Sequence, residues 1–206
     1  MEAFEQALWE RNFRLVAGVD EAGRGSLAGP VVAAAVIFDP DHTKIDGVDD
    51  SKKLSPKTRE TLFVHITESA RTVGIGIVEH TEIDRINILQ ATLKAMQIAL
   101  NNLSCAPDYV LIDGKQIPIL NCPCTPIIKG DARVYSIAAA SIIAKVTRDR
   151  IMTEYDSLYP HYGFKQNKGY GSKSHRDSLF VFGLSPLHRV TFCKRIIGPQ
   201  MELWKQ

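Results

Sequence analysis

Four acidic residues stand where apolar segments break off, and metal-assisted hydrolysis is the chemistry such a set could perform. Asp20 and Glu21 follow Phe13–Val19, Asp113 ends the run that begins at Tyr109, and Asp131 comes directly after Pro126–Gly130. Apolar runs of this length read as buried strands, so each carboxylate emerges at a sheet end or edge. Carboxylates gathered in one place repel one another unless a cation lies between them. Hard divalent ions such as Mg²⁺, which take oxygen ligands, suit that position. Two such ions about 3.5–4 Å apart form the usual device for cutting a phosphodiester. Each residue also has a plainer reading. Asp113-Gly114 is a common turn pair, Asp131 could cap a helix starting near Ala132, and Asp20-Glu21 could be a solvated strand end. The four together favour the metal reading. One tension comes with it: neighbouring strand residues point to opposite faces, so Asp20 and Glu21 cannot both aim at one ion from a regular strand. The strand must bend or end there, or Glu21 must reach round its edge.

Two glycine-rich segments accompany the carboxylates. Glu21–Pro30 carries Gly23, Gly25 and Gly29, with Arg24 between the first two. Glycines let a backbone approach a ligand closely, and Arg24 could contact a phosphate or sugar. The segment is not a Walker phosphate loop, because the terminal Gly-Lys-Ser/Thr is absent, and no helix opens there as a dinucleotide fingerprint requires. The second segment, Lys165–Lys173, holds Lys165, Lys168 and Lys173, no acid, and Tyr170 framed by Gly169 and Gly171. Lysines hold phosphates and a ring so framed could stack on a sugar or base; a plain surface turn is the alternative.

The elements that must position these groups follow from periodicity and punctuation. Strands are expected at Phe13–Val19, Val31–Phe38, Val73–Val78, Tyr109–Ile112 and near Ile127-Ile128. Ser55-Pro56 opens a helix to about Arg71, and Thr81–Asp84 reads as a capping box for a long helix to about Leu103. An alanine-rich helix spans about Arg133–Tyr155, packed closely on the sheet, and beyond Pro160 come a basic loop and short helices. Strands alternating with helices predict an α/β fold, a mixed sheet flanked by helices. Residues 1–158 are expected to form the catalytic domain. Residues 159–206, the basic loop and short C-terminal helices, are expected to pack on it without forming an independent domain.

The 206 residues are 45 % hydrophobic and 23 % charged, the composition of an ordinary globular protein. No apolar run approaches a membrane span and the N-terminal residues do not read as a signal peptide, so a cytoplasmic location with no membrane partner is expected. The four cysteines, Cys105, Cys122, Cys124 and Cys193, lack the spacing of a zinc site or disulfide framework. From Lys129 onward 13 Lys and Arg accompany 6 Asp and Glu, whereas the 128 residues before it carry 12 and 17. A basic C-terminal third beside an acidic cluster fits a polyanion gripped by one part and cut by another.

Gly18–Gly25 (Gly-Val-Asp-Glu-Ala-Gly-Arg-Gly) followed by Leu27–Val31 resembles the signature of ribonuclease HII, the type 2 ribonuclease H. Asp50–Lys52, Asp113-Gly114, Lys129–Asp131, Ala138–Asp149, Gly169–Gly171 and His188-Arg189 resemble that family's later blocks in matching order. The resemblance implies a ribonuclease-H-like sheet with a small helical C-terminal part. It implies an endonuclease hydrolysing RNA in RNA–DNA hybrids and cutting 5′ to a single ribonucleotide embedded in duplex DNA. Two Mg²⁺ or Mn²⁺ ions would serve the reaction, leaving 3′-hydroxyl and 5′-phosphate ends. Asp20, Glu21, Asp113 and Asp131 match the metal-binding carboxylates, and Gly23, Arg24, Gly25 and Tyr170 match the sensor of the RNA-to-DNA junction. Ser26 departs from the Pro or Cys expected at its position, and Ser172 stands in place of a common Thr. Lys52, Lys168 and Lys173 are assigned to phosphate contacts. His175 and His188 read as partly exposed structural histidines before proton carriers. The expected partners are RNA–DNA hybrids and ribonucleotide-containing duplexes, met by a monomer whose tail, Gln200–Gln206, is no convincing clamp-binding peptide. Another two-metal nuclease or phosphatase, or a binding module that never cuts, are the rival readings.

Overall fold

Val31–Ile37 is buried at every position, so helices must cover both faces of the strand it forms. The computed structural model describes residues 3–198. Its sheet has the strand order β3-β2-β1-β4-β5, with β1 Val16–Ala22, β2 Val31–Ile37, β3 Thr72–Val78, β4 Tyr109–Asp113 and β5 Cys124–Ile127. The first three strands form an antiparallel meander, and β4 and β5 add to β1 in parallel. This is the expected α/β mixed sheet. The helices are α1 Ala3–Trp9, α2 Pro56–Ser69, α3 His80–Asn101, α4 Tyr135–Leu158, α5 Phe164–Asn167, α6 Lys173–Phe182 and α7 Val190–Ile197.

Alternation along the strands sorts the core into two layers. Ala17, Val19, Ala33 and Ala35 face α3 through Ala91, Ala95 and Ala99. Ala34 and Val36 face α4 and α2 through Ala138, Ile142, Leu62 and Ile66. Small residues on both sides bring backbone close to backbone. A Cβ on Gly76 would lie 2.0 Å from the Ala95 carbonyl oxygen, and one on Gly18 would lie 2.2 Å from the Ser136 carbonyl carbon. A third cluster joins Leu27, Ala28 and Met152 to Tyr162, Phe164, Leu179 and Cys193, so the C-terminal helices share their core with the glycine loop and α4.

Several boundaries differ from the sequence reading. β1 starts at Val16 because Phe13 turns aside to pack edge-on against Tyr109, 4.9 Å between ring centres. β5 lies at Cys124–Ile127, an edge strand where Pro126 is tolerated. Ser55 caps α2 as expected, accepting from the Thr58 N–H at 3.1 Å. The capping box does not form: α3 starts at His80 without a side-chain cap, and Asp84 instead accepts from the Val190 and Thr191 N–H groups at the start of α7. Asn87, with φ 69° and ψ 164°, breaks α3, and its side chain accepts from Gln90 N–H to restart it. α1 was not anticipated. Its buried Glu5 accepts from the N–H and hydroxyl of Ser136, both at 2.8 Å, and so caps α4. Among the described residues no helix is long and apolar enough to cross a membrane.

Candidate functional site

β1 continues in regular register through Asp20, Glu21 and Ala22, opposite Ala34, Ala33 and Val32. It neither bends nor ends at the carboxylates. Its pairing with β4 stops at Val19↔Ile112, however, so beyond that point β1 has a free edge on the β4 side. Asp20 lies on the face covered by α4, and Glu21 lies on the opposite face and reaches the site round that open edge. Asp113 sits at the end of β4, its Oδ1 taking the Gly130 N–H at 2.6 Å. Asp131 is in the 3-10 turn Gly130–Ala132 that follows β5. Asp20, Glu21 and Asp113 line one cavity of about 210 Å³, together with Gly23–Gly25, Ser51, Lys52, Ser141, Lys145 and Tyr170. Asp131 meets that group through Lys52, whose Nζ is 2.9 Å from Asp131 Oδ2.

The three cations of the cavity pair with Glu21 (Arg24), Asp131 (Lys52) and Asp149 (Lys145), and among the described residues Asp20 and Asp113 form no ion pair of their own. Burial, then Glu21 and Asp113, push the Asp20 carboxyl well above its ordinary range. Burial also raises Glu21, against the opposing pull of Arg24 at 3.1 Å, and burial raises Asp113. Burial works against the Lys52 ammonium, but its hydrogen bond to Asp131 and the surrounding carboxylates outweigh it and hold the group above its usual value. Hard oxygen donors left short of positive charge suit a divalent cation. Among the described residues no group of three or more His, Cys, Asp or Glu is gathered into a ready-made cage.

Behind the cavity the glycine loop is held by two fully buried arginines that sequence reasoning missed. Arg148 donates to the carbonyls of Pro30 (2.9 Å), Ala28 (3.1 Å) and Lys168 (2.8 Å) and to Ser26 Oγ (2.7 Å). Arg189 donates to the carbonyls of Gly29 (3.0 Å), Arg24 (2.9 Å), Gly23 (2.8 Å) and Pro30 (3.1 Å). Burial, then Arg148, push Arg189 down to about 9. A signal for Arg148 was present. Ser141, Lys145, Arg148 and Met152 recur at helical spacing on α4 and form one stripe facing the site. Ser141 bonds Ser51 at 2.8 Å and lines the cavity beside Asp20, Lys145 lines it too, and Met152 meets Gly29. Arg189 had no such signal, because its acceptors lie about 160 residues away in sequence.

The glycines divide by function. Gly23 has φ +95°, and a Cβ there would lie 2.0 Å from Arg148 Nε, so this glycine makes room for protein. At Gly25 a Cβ would meet nothing within 4 Å. Of the two, only Gly25 has open space where a Cβ would stand, and both line the cavity. Tyr170 is 39 % exposed, its ring centre 5.4 Å from the Arg148 guanidinium carbon and 5.8 Å from Lys145 Nζ. The Leu27 N–H donates to the Gly169 carbonyl at 2.7 Å and ties the two glycine segments together.

Lys168 and Lys173 do not line the carboxylate cavity. Lys168 Nζ bonds Thr153 Oγ1 at 2.8 Å and borders a neighbouring basin of about 670 Å³ with Arg59, Lys145, Arg150 and Lys165. Lys173 pairs with Asp177 on the surface at 2.7 Å. His175 and His188 are buried where partial exposure was expected, because they pack against Tyr162 and Phe164. The tail Gln200–Gln206 lies outside the described residues.

Comparison with known proteins adds an independent line. The family model for ribonuclease HII matches residues 17–195. The chain is 57 % identical over 189 residues to ribonuclease HII of Geobacter sulfurreducens, covering 92 % of this chain and 87 % of the relative. It is 50 % identical over 204 residues to that of Acholeplasma laidlawii, covering 99 % and 97 %. Among solved structures, ribonuclease H2 from Pyrococcus horikoshii superposes with a TM-score of 0.73 at 30 % identity, covering 88 % of this chain and 96 % of that one. Ribonuclease HII from Archaeoglobus fulgidus, solved in complex with PCNA, gives 0.71 at 26 % identity, covering 85 % and 94 %.

Proposed function

The chain belongs to the ribonuclease HII family and is a ribonuclease H, an endoribonuclease acting on RNA in RNA–DNA hybrids, and from that premise we propose that it also cuts 5′ to single ribonucleotides embedded in duplex DNA. The observation that carries this reading is the shared cavity, in which Asp20, Glu21 and Asp113 lie beside the open flank of Gly25 and the ring of Tyr170. A lone ribonucleotide differs from its DNA neighbours at the 2′-hydroxyl, which a backbone can read by hydrogen bonding and a ring can pack against. Reading and cutting then occur within one small volume.

Asp20, Glu21, Asp113 and Asp131 are the residues that would hold Mg²⁺ or Mn²⁺. Two bound ions would supply an activated water and neutralise charge on the leaving 3′ oxygen. The open carboxylate set suits Mg²⁺, which binds through one or two carboxylates and completes its shell with water and substrate phosphate. Lys52 and Arg24, now paired with Asp131 and Glu21, would be released to the phosphate backbone if ions took over their carboxylates. Lys173 on the exposed start of α6 and Lys168 at the neighbouring basin would hold phosphates further along the strand. Hydrolysis by water leaves 3′-hydroxyl and 5′-phosphate ends. We assign the activity to the monomer.

The test is a labelled DNA duplex carrying one ribonucleotide, incubated with Mg²⁺, with Mn²⁺ or with chelator and mapped to the nucleotide. A single ion-dependent cut on its 5′ side is expected. Degradation of a long hybrid without that cut would overturn the reading of Gly25 and Tyr170.

A further inference from the structure

His175 and His188 take no part in the chemistry above, yet they form a chain of hydrogen bonds that ends on Tyr170. His175 lies on α6 and His188 just before α7, both buried, with their Nε2 atoms 3.0 Å apart. Two ring nitrogens at that separation must share one proton, so one donates and the other accepts. The direction is set from outside. The Ser185 N–H lies 2.9 Å from His188 Nδ1, which must therefore be the bare nitrogen. His188 then carries its proton on Nε2 and gives it to His175 Nε2. His175 in turn keeps its proton on Nδ1, 2.9 Å from the Tyr170 carbonyl oxygen. Both tautomers are determined by the pattern, which runs one way from Ser185 to Tyr170.

The surroundings keep the pair neutral, as the chain requires. The rings of Tyr162 and Phe164 pack against both imidazoles. Burial pushes His175 down, and burial, then His175, push His188 down to about 3; His80 opposes charge on His188 as well. The two ends of the chain touch both glycine segments. Tyr170 is fixed on its other side by its N–H to the Asn167 carbonyl at 2.9 Å. His188 bridges to Ala28 and precedes Arg189, which holds the carbonyls of Gly23 and Arg24.

We propose that His175 and His188 are positioning residues for ribonucleotide recognition, registering Tyr170 against the Gly23–Gly25 loop. This rests on the reading of Tyr170 given above. The experiment compares His175→Leu, which removes the donor to Tyr170, with His175→Asn, whose amide can keep it, and with His188→Gln. Each is assayed on the embedded-ribonucleotide duplex and on a long hybrid, with kcat and KM separated and Tm measured. The ratio of kcat on the first substrate to kcat on the second is expected to fall about tenfold in His175→Leu, the scale of one lost buried hydrogen bond, and to recover in His175→Asn. An equal loss on both substrates, or a lower Tm with an unchanged ratio, would show that the pair only holds the fold and would overturn the proposal. Wild-type enzyme without a preference for the embedded ribonucleotide would sink the reading of Tyr170 first, before any substitution is compared. If His175→Leu does not fold, the ¹⁵N shifts of the wild-type imidazoles decide, with protonated Nδ1 on His175 and protonated Nε2 on His188 expected. The reverse tautomers would refute the chain.

Discussion

The carboxylate cavity opens to solvent and the arginine support behind it is fully buried, and the two treat charge in opposite ways. In the cavity Asp20, Glu21 and Asp113 are crowded together and their carboxyls are raised. Behind the loop Arg148 and Arg189 are fully buried, but every hydrogen bond named for them runs from the planar fork of the guanidinium to a backbone carbonyl or a hydroxyl. A buried charge with its hydrogen bonds satisfied makes a rigid brace, while one left short of opposite charge is a site waiting for a ligand. The glycine loop lies between the two, braced on one side and open on the other.

The sharpest way to break this comparison is to remove charge from each region. Asp113→Asn should lower cleavage of every substrate by about a hundredfold or more while the protein stays folded. An active Asp113→Asn enzyme would end the cavity's claim to the chemistry. Next comes the pair Gly23→Ala and Gly25→Ala. The first meets Arg148 and a positive φ and should cost about 1–3 kcal/mol of stability. The second meets open space and should leave Tm in place while weakening cleavage at an embedded ribonucleotide. Equal Tm losses would erase the distinction between braced and open sides.

Smaller effects concern stability alone. Mg²⁺ added to metal-free protein should raise Tm by a few degrees, about 1 kcal/mol for a chain of this size, and Asp20→Asn should raise the metal-free Tm in the same sense. A lower Tm in that variant would mean that the carboxylate is already compensated. A further effect on stability is expected in acid. A histidine whose folded pKa is lowered contributes stability that is present above its unfolded value, near 6.5, and is lost as pH falls toward the folded one, about 3 for His188. Raised carboxyls act in the opposite sense, gaining stability as pH falls. Tm of metal-free protein should therefore fall less between about pH 7 and pH 5 in His188→Gln than in wild type; parallel curves would remove His188 from the balance.

Residues adjacent in sequence, or spaced by a helical or strand period, were readable. Asp20-Glu21 at the end of an apolar run, Ser55-Pro56 opening α2 and the all-apolar β2 each follow from local sterics and burial. Thr81–Asp84 shows the limit of that logic. The local pattern suited a cap, but Asp84 found its donors on α7, more than a hundred residues away. The same limit hid Glu5 as the cap of α4.

The sequence by itself determined the sheet-and-helix alternation, the four carboxylates and the two glycine segments, because local burial and backbone freedom act over a few residues. Only the tertiary structure decided how Glu21 reaches the cavity round an unpaired strand edge, why Gly23 and Gly25 differ, and how Arg148, Arg189 and the two histidines hold the loops. Those outcomes depend on hydrogen bonds and close approaches between distant segments, and no local pattern records which carbonyl a buried donor will find.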